Sequence, residues 1–260
     1  MTFIRACIVL MLTFASGLAG AAEAPLRIGS TVGPYAEIMD YAAGLAAKQG
    51  LEVKVVEFTD YALPNEAMAN GDIDVSMFQT RPYLANAVKT RGYDIVPLDP
   101  GIIVPMGIYS HKIKALSDLK DGDTLAIPND PSNGARGLLL MQQAGLITLR
   151  EGVTTTASLA DVVANPKHLK IRELDAAQVP RSLDDMAAAA VNMSYALPAG
   201  LDPKTAMILE STDTPFSLIW TAPRKRLDDP RIKKMIAIYR SPEVKAFILA
   251  KFSGSVIPNW

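Results

Sequence analysis

Cysteine and histidine are scarce in this chain of 260 residues, and their scarcity excludes several kinds of site. The only cysteine, Cys7, lies in an N-terminal segment that we interpret as a signal peptide. The mature chain then has no thiol for a disulfide, a nucleophile or a thiolate metal site. The two histidines, His111 and His168, lie far apart and lack metal-ligand spacing with carboxylates. We therefore expect no metal, no cofactor and no catalytic histidine.

Long runs of one charge are also missing. The 26 basic and 27 acidic residues give a net charge of −1, and no basic stripe is interleaved with aromatics. Nucleic-acid binding has little support, and a small ligand is the better interpretation. The chain also lacks a G-x-S-x-G elbow, a P-loop, a G-x-G-x-x-G loop and a plausible acid and base pair. We therefore expect a protein that is not an enzyme.

The N-terminus has the three parts of a cleaved signal peptide. Arg5 is the basic region, Ala6 to Leu18 is a short apolar run, and Ala19 to Ala21 are the small residues before the cut. Residues 1–21 are thus predicted to be removed, and the mature protein to be exported. No cysteine follows the apolar run, so we expect no lipid anchor.

Strand and helix patterns alternate along the mature chain. A strand at Leu26 to Ser30, a helix at Tyr35 to Gln49 and a strand at Glu52 to Phe58 predict a right-handed βαβ unit. The alternation stops at Ile102 to Tyr109, an extended apolar run whose Pro105 fits an edge or crossover segment better than a central strand. Phe216 to Ala222 is a second such run and a second possible crossover. These patterns predict two α/β halves.

We place the first lobe at residues 22–109 plus 215–260 and an inserted second lobe at residues 110–214. Within the second lobe, Ser182 to Asp185 has a capping-box pattern that predicts a short helix in the following MAAAA segment. The adjoining Ala188 to Asn192 fits either a strand or the end of that helix, with Asn192 at a turn.

The stretch from Asn129 to Gly145 is the strongest candidate for an anion site. Ser132 or Asn133 can cap a helix that runs from about Asn133 to Ala144, and Arg136 lies in its first turn. Free backbone N–H groups and a guanidinium together suit a small carboxylate or phosphate. The alternative is that Arg136 is a solvated helix residue.

Three aromatic and three polar residues form a candidate recognition set. Taken singly, each aromatic is better explained by core packing, but all three fall in loops or at strand ends, where ligands bind in α/β sheets. The set consists of Tyr61, Phe78 and Tyr83 with Asn133, Arg136 and Asn192.

Several segments resemble the NlpA family of methionine-binding lipoproteins, the substrate-binding components of bacterial ABC importers. The matching segments are Asp60 to Ala67, Gly71 to Asp74, Phe78-Gln79 with Pro82 to Leu84, Pro128 to Arg136, and Pro180 to Asp185. The resemblance implies a periplasmic-binding-protein fold, with two mostly parallel sheets flanked by helices and joined by two crossover strands. It also implies closure over a small amino acid and delivery to an ABC permease and ATPase; we expect a monomer.

The resemblance places the aromatic cage and the polar contacts on the recognition set and adds two altered positions. Thr80 replaces the histidine of the FQHKPY motif, and Ser217 replaces an asparagine of the second crossover strand. The lipidated cysteine of the family is missing as well. Methionine or a related amino acid is the predicted ligand. A carboxylate-acting lyase or dehydratase on the same fold, or a ligand-binding sensory module, is the alternative.

Overall fold

The computed structural model describes residues 24–260 and contains two mixed sheets flanked by helices. The predicted signal peptide, with Cys7, lies outside the described residues. Within residues 24–260, no helix is long and apolar enough to cross a membrane. The predicted α/β class, with two sheets flanked by helices, is confirmed.

The described chain alternates short strands with helices. The strands are β1 (Leu26–Thr31), β2 (Val53–Phe58), β3 (Val75–Thr80), β4 (Ile95–Pro100), β5 (Ile102–Ile103), β6 (Met106–Tyr109), β7 (Thr124–Pro128), β8 (Thr148–Leu149), β9 (Val162–Ala164), β10 (Lys170–Leu174), β11 (Ala188–Asn192), β12 (Ile208–Leu209), β13 (Leu218–Pro223) and β14 (Ile257–Pro258). The α-helices are α1 (Pro34–Lys48), α2 (Leu63–Asn70), α3 (Arg81–Arg91), α4 (Pro131–Gln143), α5 (Met193–Ala196), α6 (Pro230–Tyr239) and α7 (Pro242–Phe252).

Each large sheet combines parallel and antiparallel pairs. The first has the order β2-β1-β3-β13-β4, and the second has the order β10-β7-β11-β6-β12. Three neighbouring strands of each sheet are parallel, and the remaining pairs are antiparallel. The antiparallel strands β13 and β6 are the ones that directly follow the two crossings between the sheets.

The predicted βαβ unit is present at the start of the chain. β1 and β2 pair in parallel from Leu26 opposite Val53 to Thr31 opposite Phe58. Helix α1 connects them and buries Ile38 among other apolar side chains. The carboxyl ends of these parallel strands therefore point to one edge of the sheet, where open α/β sheets bind ligands.

The chain passes between the sheets at Val104–Pro105 and again along residues 210–217. β6 pairs with β11 and β12 in the second sheet, although our predicted division counted Met106–Tyr109 with the first lobe. The lobe boundaries themselves stay a prediction.

Helix α4 begins earlier than predicted, and neither Ser132 nor Asn133 is its cap. Asp130 is the N-cap, because its carboxylate accepts a hydrogen bond from the backbone N–H of Asn133 at 2.9 Å. Pro131 suits the first helical position, since proline has no N–H to leave unpaired there.

The predicted helix in the MAAAA segment is wrong. A 3₁₀ turn covers Pro180–Asp184, and Ala188–Asn192 forms the central strand β11 with every residue buried. Alanine has the highest helix propensity, but tertiary packing can override this small preference, and the small side chain also fits between two packed layers. Pairing with both β6 and β7 therefore decides the conformation.

Candidate ligand-binding cleft

A small cavity of about 20 Å³ lies between the two sheets. This volume holds about one water molecule, so binding of an amino acid would require the two walls to move apart. Its lining residues are Tyr35, Tyr61, Phe78, Gln79, Thr80, Tyr83, Asn133, Arg136, Asn192 and Leu218.

The side of the cavity formed by the first sheet is aromatic. We call Tyr61, Phe78 and Tyr83 the aromatic wall. The ring of Tyr83 is edge-on to the other two, with both pairs of centroids 6.1 Å apart. The Tyr83 hydroxyl donates to the backbone carbonyl of Tyr61 at 2.8 Å, which fixes the loop after β2 relative to α3. The rings therefore offer a preformed apolar surface.

Buried hydroxyls connect this wall to the second lobe. The hydroxyl oxygens of Tyr61 and Ser194 are 2.5 Å apart, and the Tyr195 hydroxyl donates to the carbonyl of Thr59 at 3.2 Å. Burial raises the pKa of Tyr61 well above its ordinary value, and burial also raises the pKa of Tyr35. These phenols therefore stay neutral and act as hydrogen-bonding groups.

A buried polar network connects α2, β3 and β13 next to the aromatic wall. Asn65 and Gln79 exchange two amide hydrogen bonds of 2.9 and 2.7 Å. Gln79 also donates to the hydroxyl of Thr221 at 3.1 Å, which in turn lies 2.8 Å from the hydroxyl of Ser76. Because the members satisfy one another, the network holds α2, β3 and β13 in fixed positions.

The opposite side of the cavity is polar, and we call Asn133, Arg136 and Asn192 the polar wall. The Asp130 carboxylate accepts from Asn133 Nδ2 at 2.9 and 3.1 Å, so the Asn133 oxygen faces the other way. That oxygen accepts from Asn192 Nδ2 at 2.8 Å. The remaining oxygen, Asn192 Oδ1, is buried without a hydrogen-bond partner in the described part of the chain. It is an acceptor available to a ligand.

Desolvation by burial raises the pKa of Asp130, although the hydrogen bonds from Asn133 act in the opposite direction. The carboxylate is thus held mainly by its hydrogen bonds, with no cation paired to it among residues 24–260.

Arg136 is buried and is already paired. Its Nε donates to both oxygens of Glu210 at 3.1 and 3.0 Å, and its Nη2 donates to Glu210 and to the carbonyl of Val104. The ring of Phe216 lies 5.1 Å from its guanidinium carbon. Within residues 24–260, Nη1 is the guanidinium nitrogen without a hydrogen-bond partner, so it is the nitrogen left for a ligand.

All the predicted site residues except Ser217 line the cavity. Ser217 lies next to the lining residue Leu218, and its hydroxyl accepts from Asn259 Nδ2 at 2.7 Å. Thr80 lines the cavity and also caps α3. Whether these residues touch a ligand stays a prediction.

Sequence reasoning missed Tyr35, Gln79 and Leu218 as lining residues. Gln79 lies between two predicted site residues, and Tyr35 follows the glycine-proline turn that opens α1. Gln79 near the end of β3 and Tyr35 soon after β1 lie beside the predicted cleft, which was the available signal. Leu218, the first residue of β13, had no such signal.

Two sheets linked by two crossings, with a small cavity between an aromatic and a polar wall, define the class of two-lobe solute-binding proteins. Residues 26–260 match the model of the NlpA lipoprotein family. The chain belongs to this family.

Similar proteins cover most of the chain. D-methionine-binding lipoprotein MetQ of Escherichia coli (strain K12) is 41% identical over 239 residues, which are 90% of this chain and 88% of that protein. A nutrient-binding protein from Burkholderia cenocepacia, solved bound to methionine, is 45% identical with a TM-score of 0.88. The alignment with this structure covers 90% of the present chain and 100% of the Burkholderia cenocepacia chain. A periplasmic substrate-binding protein of an ABC transporter from Coxiella burnetii is 42% identical, with a TM-score of 0.87 and coverage of 90% and 99%.

Proposed function

We propose that this protein binds methionine or a closely related amino acid in the cleft and delivers it to an ABC permease and its ATPase in the periplasm. The observation that carries the proposal is the opposition of an aromatic wall to a polar wall around one small cavity. Arg136 Nη1 offers a donor to the carboxylate of an amino acid. Asn192 Oδ1 offers an acceptor to its ammonium group. The rings of the aromatic wall cover an apolar side chain.

The names of the relatives support the same assignment. The proteins from Escherichia coli and Burkholderia cenocepacia are described as binding D-methionine and methionine, respectively. The relatives are named as binding proteins and not as enzymes, which supports a carrier that releases its ligand unchanged.

Ligand screening of the mature protein tests this proposal. L-methionine, D-methionine and the other proteinogenic amino acids are compared by thermal shift and by native mass spectrometry. We expect one or both methionine enantiomers to raise the unfolding temperature and to be recovered unchanged. A screen without any amino-acid shift, or turnover of the bound amino acid, would contradict the proposal.

We further propose that the two sheets move as separate lobes on the crossings at residues 104–105 and 210–217. Ligand can favour the closed arrangement only through its higher affinity for that arrangement. A decrease in the radius of gyration in solution when methionine is added is the expected result.

The state of the N-terminus is a separate proposal. The relatives are named lipoproteins, which is at odds with our expectation of an unacylated protein. The expectation depends on Cys7 being the only cysteine and lying within the predicted signal peptide. The intact mass of the protein isolated from a periplasmic fraction decides between a free and an acylated form.

A further inference from the structure

Glu210 lies behind the cavity and accepts hydrogen bonds from three parts of the fold. It follows β12, at the start of the second crossing between the sheets. Besides Arg136, its carboxylate accepts from the backbone N–H of Met106 at 3.2 Å and from the hydroxyl of Thr214 at 2.9 Å. The residue does not line the cavity. Glu210 is thus connected to the site through Arg136.

Arg136 is consequently held by both crossings at once. Its Nη2 donates to Val104 O in the first crossing at 2.8 Å, and Glu210 holds it in the second. Phe216 packs on the guanidinium from the second crossing as well. The Arg136 side chain is 4% exposed and that of Glu210 is 10% exposed, so neither charge is well solvated. The contacts of Nε and Nη2 determine where Nη1 points.

Two opposite roles for Glu210 are physically reasonable. As a competitor, it would neutralise Arg136 and weaken the attraction of a ligand carboxylate. As a support, it would keep a buried cation in one orientation, which is required because a buried charge without a partner is strongly unfavourable. The geometry favours the second role, because Glu210 uses the nitrogens on the side away from Nη1 and is itself fixed by Met106 and Thr214.

We propose that Glu210 is a positioning residue, which orients Arg136 so that Nη1 faces the carboxylate of the ligand and couples this orientation to both crossings. The role rests on the proposed binding of an amino acid. Glu210 makes no contact with the ligand in this role. Its removal weakens binding only through Arg136.

A double-mutant cycle tests the proposal. Affinity is measured by calorimetry for wild type, Glu210→Gln, Arg136→Lys and the double variant, with whichever methionine enantiomer gives the larger thermal shift. We expect Glu210→Gln to weaken binding by about tenfold or more, the effect of losing one charge-assisted hydrogen bond. In the Arg136→Lys background, the same change should alter affinity by less than about twofold, because residues that act as a unit are not additive.

Controls separate positioning from a general loss of structure. Asp99→Asn removes the partner of Arg240 in an exposed ion pair that does not line the cavity, and it should leave affinity unchanged. Thr214→Val removes one hydrogen bond to Glu210 and keeps the charge pair, so it is measured in case Glu210→Gln does not fold. We expect Thr214→Val to weaken binding by about two- to fivefold, the effect of a small loss of orientation.

Each outcome has one interpretation. Unchanged or tighter binding by a folded Glu210→Gln variant would overturn the positioning role, and tighter binding would identify a competitor. Additive losses in the cycle, or unchanged affinity in Thr214→Val when Glu210→Gln does not fold, would overturn the role as well. If the wild-type protein bound no amino acid, the proposed function would fail and this role with it. If the wild-type protein binds an amino acid but the variants give one of these contrary results, only the positioning role is overturned and the proposed function stands.

Discussion

The aromatic wall and the polar wall of the cleft hold their side chains by different interactions. The aromatic wall comes from one short part of the chain, between Tyr61 and Tyr83, and its rings pack on one another. The polar wall combines segments far apart in sequence, because Asn133 bonds to Asn192 and Arg136 pairs with Glu210. Apolar packing tolerates changes of similar volume, whereas a broken buried polar pair leaves its other member unsatisfied. We therefore expect the polar wall to be the more sensitive of the two.

The largest effect is expected from Arg136→Met, which removes the charge of the polar wall and keeps an unbranched apolar side chain. Affinity for methionine should decrease about ten- to a hundredfold, because one charge-assisted contact to the carboxylate is lost. Stability should also decrease, by about 3–5 kcal/mol, because Glu210 is left buried without its partner. Calorimetry and urea unfolding measure the two quantities.

The double variant Arg136→Met with Glu210→Gln is the matched control. It removes both charges, so stability should recover in large part while affinity stays low. Parental affinity in either variant would contradict the assignment of Arg136 to the carboxylate.

A smaller effect is expected from Phe78→Leu, which keeps an apolar side chain in the aromatic wall but removes the ring. Affinity for methionine should decrease by about three- to tenfold, since part of the apolar surface around its side chain is lost. Alanine, which has almost no side chain to cover, is the control ligand in competition measurements. An equal loss of affinity for methionine and alanine would mean that Phe78 does not contact the side chain of the ligand.

Tyr83→Phe should have a still smaller effect. The change removes the hydrogen bond to the carbonyl of Tyr61, which is worth about 0.5–1.5 kcal/mol of folding stability. The ring stays, so affinity should change by less than about threefold. Thermal unfolding and calorimetry on the same preparation check both values, and an affinity loss as large as that of Arg136→Met would reverse the comparison.

The smallest effect on binding is expected from alkaline pH. Burial raises the pKa of Tyr35, Tyr61, Tyr83 and Tyr195 above the ordinary value of about 10. The neutral form is favoured in the folded state, so this stabilisation is complete below about pH 10 and declines at higher pH as the unfolded chain ionises. Ionisation of these tyrosines should therefore leave affinity unchanged between about pH 7 and about pH 9.

Ultraviolet absorbance of tyrosinate during an alkaline titration provides the measurement. The buried tyrosines should ionise together with unfolding and not before it. A stepwise rise in a folded protein, accompanied by weaker binding, would contradict the neutral aromatic wall.

Local patterns in the sequence predicted much of the fold. The βαβ unit at the start of the chain follows from the periodicity of its own segments. Ala188–Asn192 could not be assigned in this way, because its conformation depends on pairing with β6 and β7. Local propensity is overruled where a segment is buried on both faces.

The candidate site also contains residues that local patterns could predict and residues that they could not. Tyr61, Phe78 and Tyr83 fall at predicted strand ends and in loops, so their proximity could be expected from topology. Glu210 had no signal, since it lies in a polar segment 74 residues from Arg136 and belongs to no motif. Its role depends on the path of both crossings, which no local pattern specifies.

Thr80 has two tasks that constrain any change of ligand. It lines the cavity, and its hydroxyl accepts from the backbone N–H of Tyr83 at 3.3 Å as the cap of α3. A histidine, as in the family motif, would return a ring to the cavity but would forgo the preferred cap residues, at a cost of about 1 kcal/mol. In directed evolution toward binding of new amino acids, substitutions of Thr80 would therefore also be limited by their effect on folding stability. Serine, asparagine and aspartate are the replacements through which ligand preference could drift without that loss.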